Sequence, residues 1–322
     1  MGRRLGRVVV PLGLAGIVAL PYVAGPFWMT LATQVLVFGL LALAVDLLLG
    51  LAGLFSVGHG AFFAMAAYTT AILHVRHDLP TAVAAPAGIL AGTVLGALFA
   101  VAVRTRGVYF ILVTMAFGYV VWGVAHRWSS FTGGDNGVTN VPFPGVGPFQ
   151  VTSHRQYYYV ALVTIGGCVL AYRRITRSPF GLALRGVRAS ETRMRSLGFD
   201  TGRHLYVAFV LSAAMASVAG VLYVYYNRFV NPVAASFPVS VEAALMAIVG
   251  GSGTLLGPFL GAVVVLGLRN WVSSFFELYA AVMGLVFIAT VLWAPTGLVG
   301  LAGRLRERLA PAPATPAPSP GA

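Results

Sequence analysis

Two carboxylates, Asp46 and Glu242, stand inside otherwise apolar stretches of the sequence, and an acid that titrates in hydrocarbon can carry protons. Such a side chain is costly in a bilayer unless it finds a partner, faces a water-filled cavity or sits at headgroup level near a helix end. Each leads into a glycine-broken stretch: Val45-Asp46 into Gly60-Ala61-Phe62, and Val241-Glu242 into Gly257-Pro258-Phe259. Weakly similar discontinuous segments in two halves of a chain are expected of an internally repeated transporter, whose broken helices border the path. The candidates for that path are Asp46, Ser56, His59, Glu242 and Ser252, with Ser56, Gly58 and His59 either lining a cavity or capping a turn. Used as a titrating pair, Asp46 and Glu242 would make a proton-coupled secondary carrier.

Other chemistry finds little to work with. The 21 basic residues are all arginine, so neither a Walker A loop nor a Schiff-base lysine can be built. His74 and His77 flank Arg76 at a span end with only Asp78 nearby, which predicts solvated side chains and no metal site. The single cysteine, Cys168, lies in an apolar run and reads as a packing residue. The glycines from 251 to 257 lack dinucleotide-fingerprint spacing, and no nucleophile, base and orienting group stand together. No catalytic residue is expected, and the chain is not read as an enzyme.

The elements that must position these residues follow from composition. Of 322 residues, 58% are apolar and 9% charged, against roughly 25% charged in soluble chains. This predicts an all-α, polytopic transmembrane bundle of about 8–10 spans with broken or re-entrant helices. Nine apolar runs are visible, at 8–24, 27–50, 60–75, 80–103, 107–125, 157–172, 205–226, 241–268 and 272–293. With Arg3, Arg4 and Arg7 in the cytoplasm, alternation puts Arg104, Arg106 and residues 173–203 there too, as the positive-inside rule asks. Nine crossings would strand Arg304, Arg306 and Arg308 outside. The run at 241–268, interrupted by Gly250-Gly251-Ser252-Gly253, is therefore split into two short helices, which returns both termini to the cytoplasm. The transmembrane domain is placed at 1–303, with a cytoplasmic loop at 173–204 and an external loop at 126–156. A Pro- and Ala-rich tail at 304–322 has nothing to bury and is expected to be disordered. A cleaved signal peptide is the rival reading of the first run, which Pro11 and Pro21 bound as a helix. The net charge of +13 comes from clusters beside apolar runs, which points to membrane lipids and not to nucleic acid.

Small residues recur at four-residue spacing, Gly88, Gly92 and Gly96 in one run and Gly253, Gly257 and Gly261 in another, predicting close helix contacts within the bundle. The external loop carries Thr132 to Gly137 (TGGDNG) and three prolines, which predicts an ordered loop without a helix.

The cytoplasmic loop is the most informative segment. Leu182, Leu184, Val187, Met194 and Leu197 fall near helical spacing among arginines. Ser178-Pro179 opens one short helix, Ser190-Glu191 restarts a second, and Gly198 stops it. A short amphipathic helix on the membrane surface either lies on headgroups or enters a groove of a soluble partner.

The order Ser178-Pro179, Gly181, Ala183, Arg185, Arg188, then Glu191, then Leu197-Gly198 resembles the coupling loop of ABC-importer permeases of the branched-chain amino acid family, of LivM type. Gly50 to Tyr68, the Thr132 to Gly137 turn and Ala247 to Gly261 agree with it. Arg193 and Met194 depart from it, as does Asp135-Asn136. The resemblance implies a permease subunit importing branched-chain amino acids or related small polar solutes into bacteria across the inner membrane. It implies a second homologous permease, two ABC ATPase subunits docked on residues 178–200, and an external substrate-binding protein. ATP and Mg would sit on the ATPase subunits, with no cofactor on this chain.

Overall fold

The computed structural model describes residues 16, 18–22, 25–146, 149–273, 281, 284–285, 288 and 297–301. The tail expected at 304–322 lies outside the described residues, as do most of the first and last apolar runs.

Helix α1, Pro26–Asp46, starts on a proline whose fixed φ suits a first turn, and it continues as a π-helical stretch, Leu47–Ala52. Wide turns of this kind are rare overall and frequent at functional sites. Gly53, at φ 72°, ends it, and residues 54–58 run without regular structure to α2, His59–His77. Then come α3, Thr81–Phe99, with a 3-10 end at Ala100–Arg104, and α4, Val108–Arg127. Helix α5, His154–Arg177, is followed by two short helices, α6, Pro179–Ala189, and α7, Glu191–Ser196. Helix α8, Thr201–Asn227, leads through a 3-10 turn at Pro232–Ala235 into α9, Phe237–Gly250, and α10, Gly257–Ser273.

Among the described residues, four helices are long and apolar enough to cross a bilayer: Pro26–Ala52, Thr81–Arg104, Val108–Arg127 and Thr201–Asn227. The molecule is a polytopic helical bundle. At 14 residues, α9 reaches about 21 Å, short of the roughly 30 Å hydrocarbon core. The run at 241–268 is thus two helices with the break at residues 251–256, as its glycines predict, although α9 begins earlier, at Phe237.

Burial orders the bundle. Helix α1 from Val37 onward and most of α2 and α8 are enclosed, whereas α3 and α4 lie at the periphery. Helix α3 shows how one sequence serves two solvents: Leu90, Val94 and Leu98 are exposed along one face, while Gly88, Gly92 and Gly96 are buried on the other. A Cβ on Gly92 would stand 2.3 Å from Ser217 Oγ and 2.8 Å from the Phe62 carbonyl oxygen. The stripe lets α3 touch α2 and α8 directly. Gly257 and Gly261 do the same between α9 and α10, where a Cβ on Gly261 would fall 1.7 Å from the Met246 carbonyl oxygen.

The two ends of the bundle differ. One gathers Arg104, Arg106, α6, α7, the π-helical stretch and the 251–256 turn, and is called the basic end below. At the other, Tyr226 donates to the Thr30 carbonyl at 3.1 Å and Val138 pairs with Val230. The loop between α4 and α5 is ordered as expected, but through a helical turn at Ser129–Thr132, a 3-10 turn at Gly134–Asn136 and a hairpin of β1, Gly145–Val146, with β2, Phe149–Gln150. His77 is exposed as expected, while His74 is half-buried and lies 3.0 Å from the Tyr225 hydroxyl and 3.2 Å from Thr81 Oγ1, tying α2 to α8 and α3.

Candidate functional site

At the basic end each short helix is set by local chemistry. Ser178 caps α6, accepting from the Gly181 N–H at 3.3 Å, with Pro179 at the first helical position. A Cβ on Gly181 would fall 2.3 Å from the Ile175 carbonyl oxygen, so the α5–α6 corner requires glycine. Ser190 caps α7 by accepting from the Arg193 N–H at 3.4 Å. Gly198, at φ 86°, closes α7: its N–H donates to the Arg195 carbonyl at 2.9 Å and the Phe199 N–H to the Met194 carbonyl at 3.1 Å. This is a Schellman closure, and Gly198 supplies its left-handed residue. Asp200 then caps α8 through the Arg203 N–H at 3.0 Å.

The apolar residues of the loop do not share one face, as their spacing suggested. Leu184 and Val187 are buried with Ala183, and Met194 packs on Gly186, but Leu182 and Leu197 are 69% and 72% exposed, with Phe199 also exposed. The inward set glues the loop to the bundle. The outward set leaves apolar side chains facing away from it.

Two arginines fasten α6 to the bundle. The Arg185 guanidinium donates to the Thr176 carbonyl at the end of α5, and that of Arg188 to the Gly50 carbonyl within the π-helical stretch. Glu191 anchors α7: Arg106 donates to it through Nε at 2.7 Å and Nη2 at 2.6 Å, Arg195 at 2.8 Å and Thr201 at 3.1 Å. The Arg106 fork holds the Glu191 carboxyl below the usual glutamate range.

Asp46 is fully buried, one turn before Gly50. Its Oδ1 accepts from the Gly253 N–H at 2.8 Å and its Oδ2 from the Tyr172 hydroxyl at 2.8 Å. A Cβ on Gly50 would come 2.5 Å from the Gly253 nitrogen, so the two interrupted segments meet backbone to backbone. One carboxylate therefore joins α1, α5 and the 251–256 turn, and Arg188 adds α6 to the same knot.

Glu242 lies elsewhere. Arg269 Nη1 donates to its two oxygens at 3.1 and 3.2 Å, closing α9 onto α10. The structure thus gives each acid its own partners and does not join them as a pair; nor is either simply solvated. Of the other path candidates, His59 is buried with Nε2 2.7 Å from Ser212 Oγ, which donates to the Ala44 carbonyl at 2.5 Å. Ser56 is buried and accepts from the Gly58 N–H at 3.4 Å within the loop before α2, whose N-cap is Gly58. Ser252 is exposed and, with Gly50, Tyr172, Arg177, Arg185 and Arg188, lines a groove of about 440 Å³ at the basic end. Tyr172, Arg269 and Ser212 went unmarked in the sequence, and Arg106 was marked only for its side of the membrane, because their partners lie 27 to 153 residues away.

Residues 27–291 match the family described as branched-chain amino acid transport system / permease component. The chain is 29% identical over 306 residues to the high-affinity branched-chain amino acid transport system permease protein LivM of Salmonella typhimurium, covering 88% of this chain and 72% of that one. The LivM protein of Escherichia coli matches to the same extent. The LivH permease protein of Escherichia coli is 25% identical over 297 residues, covering 82% of this chain and 91% of its own. No solved structure matches the chain. The broken helices, the capped basic loop and a family match spanning most of the sequence agree, and the chain belongs to the permease-component family of branched-chain amino acid transport systems.

Proposed function

We propose that this chain is the membrane-spanning subunit of an ATP-driven ABC importer for branched-chain amino acids or related small polar solutes. It lies multi-pass in a bacterial inner membrane with both termini and the basic end in the cytoplasm. It pairs with a second, homologous permease, of which the LivH relatives are the pattern. An external binding protein delivers substrate, and two ABC ATPase subunits holding ATP and Mg dock on α6 and α7. The chain itself catalyses nothing.

The observation that carries this reading is the knot at the basic end. Helix α6 presents Leu182 outward while Arg188 grips the π-helical stretch whose Asp46 holds the 251–256 turn. A displacement of α6 by a docked motor is then passed to both interrupted segments at once. Packed helices respond to such a push by switching between discrete arrangements, which is what alternation between outward-open and inward-open states needs. The proton-carrier alternative draws no support from acids engaged by separate partners.

The test uses the assembled complex. Nothing lies within 4 Å of a Cβ on Gly198, so Gly198→Val strains only the left-handed turn that aims the loop. Substrate-stimulated ATP hydrolysis should fall at least tenfold while the permease still inserts. Unchanged stimulation, or proton-driven uptake by the isolated chain in vesicles, refutes the docking role.

A further inference from the structure

A second feature of the basic end is not used by the coupling knot. Between the 3-10 end of α3 and the start of α8 lies a crevice of about 480 Å³, lined by Arg104, Arg106, Arg195 and Arg203 above and by Val101 and Tyr206 below. The Tyr206 hydroxyl closes its back by donating to the Ala97 carbonyl at 3.2 Å. Its charge is only partly compensated. Glu191 is taken up by Arg106, Arg195 and Thr201, and Asp200 by the Arg203 backbone N–H. Among the described residues, the guanidiniums of Arg104 and Arg203 have no hydrogen-bond or ion-pair partner.

In the membrane placement proposed above, the crevice opens onto lipid. Val101 continues the exposed row Leu90, Val94 and Leu98 of α3, and Tyr206 and Val207 of α8 are exposed beside it. Two free planar cations at the bilayer surface above an apolar wall that runs into the hydrocarbon have the polarity and shape of one anionic phospholipid. Guanidinium forks match phosphate oxygens, and basic pockets between spanning helices suit acidic headgroups. A soluble acidic partner would use the cations but would leave the apolar wall without a match.

We infer that this crevice is a binding site for an anionic phospholipid, its phosphate held by Arg104 and Arg203 and its acyl chains lying along Val101 and Leu98. So seated, the lipid bridges α3 and α8 beside the Arg106–Glu191 contact and secures the base of α7.

The experiment is native mass spectrometry of the full chain with its co-purifying subunits, released from nanodiscs containing phosphatidylglycerol and phosphatidylcholine in equal amounts. Wild type should retain phosphatidylglycerol at least about tenfold over phosphatidylcholine, and the Arg104→Gln/Arg203→Gln variant should lose that preference. Arg155→Gln, at the other end of the bundle, should keep it. Equal retention of both lipids by wild type, which needs no variant to fold, overturns the site. So does an unchanged preference in the double variant. Displacement of the lipid by millimolar inorganic phosphate would mark a free-phosphate site instead. Loss of the co-purifying subunits with lipid preference intact would mark a protein contact, and either result defeats the proposal.

Discussion

Asp46 shows how much one side chain can hold. Its two oxygens accept from the backbone N–H of Gly253, at the edge of the groove, and from the buried hydroxyl of Tyr172. Asp46→Ala should cost about 1–3 kcal/mol, because the buried Tyr172 hydroxyl is left unmet, and Asp46→Asn, which keeps an acceptor oxygen, should cost less. Thermal unfolding in detergent orders the two; equal midpoints for wild type and the alanine variant would contradict the role. The glycine stripe makes a similar argument without charge. Gly92→Ala places a methyl against the Phe62 backbone and Ser217, and overpacking of this kind costs roughly 1–3 kcal/mol. Gly123→Ala in α4 meets nothing within 4 Å and should leave the midpoint unchanged or raise it. A fall in both variants would mean that backbone freedom, and not close contact, selects glycine.

Helices α6 and α7 are too short to be stable by propensity alone, so their caps and side-chain ties decide whether they exist. Ser178→Ala should cost about 1 kcal/mol and speed amide exchange in α6 while α8 stays protected. Uniform exchange across both helices would show that the cap is redundant. The tie at Glu191 sets a pH window. A carboxyl held below its unfolded value binds fewer protons when folded, so its contribution is complete above the ordinary glutamate range of about 4.3 and is lost as pH falls through the lower folded value. Exchange in 191–196, corrected for the intrinsic amide rate at each pH, should therefore be flat from pH 8 to about 5 and rise only in stronger acid. In Glu191→Gln it should be fast throughout, and a transition near neutrality in wild type would place the cause elsewhere.

At the scale of the molecule, the break between α9 and α10 and the α4–α5 loop lie at opposite ends of one bundle. In a Cys168→Ala background, Ser252→Cys should react with a membrane-impermeant thiol reagent from the side that exposes α6, and Ser153→Cys from the other. Labelling of both from one side would invert the topology on which the coupling reading depends. The bundle also explains why α1 and α4, both predominantly apolar, differ in role. Helix α1 is enclosed by α2, α5, α8, α9 and α10, whereas α4 presents Leu112, Val120 and Val124 outward.

The sequence by itself determined whatever depends on short-range chemistry and solvent. Apolar length marks the helices, arginine placement separates the ends, Ser178-Pro179 and Ser190 open α6 and α7, Gly198 closes the second, and the glycines after Val249 break the run at 241–268. Each is decided within a few residues, where covalent geometry and local hydrogen bonds act. The α9 start at Phe237, the direction of Leu182, the Tyr172 and Gly253 contacts of Asp46 and the Arg269 contact of Glu242 depend on which helices become neighbours. Spacing alone treats Asp46 and Glu242 as equivalent acids in broken segments. The tertiary structure makes one a joint between helices and the other a clasp within a hairpin, because a buried charge settles on the nearest donor that packing brings to it, however distant in the chain.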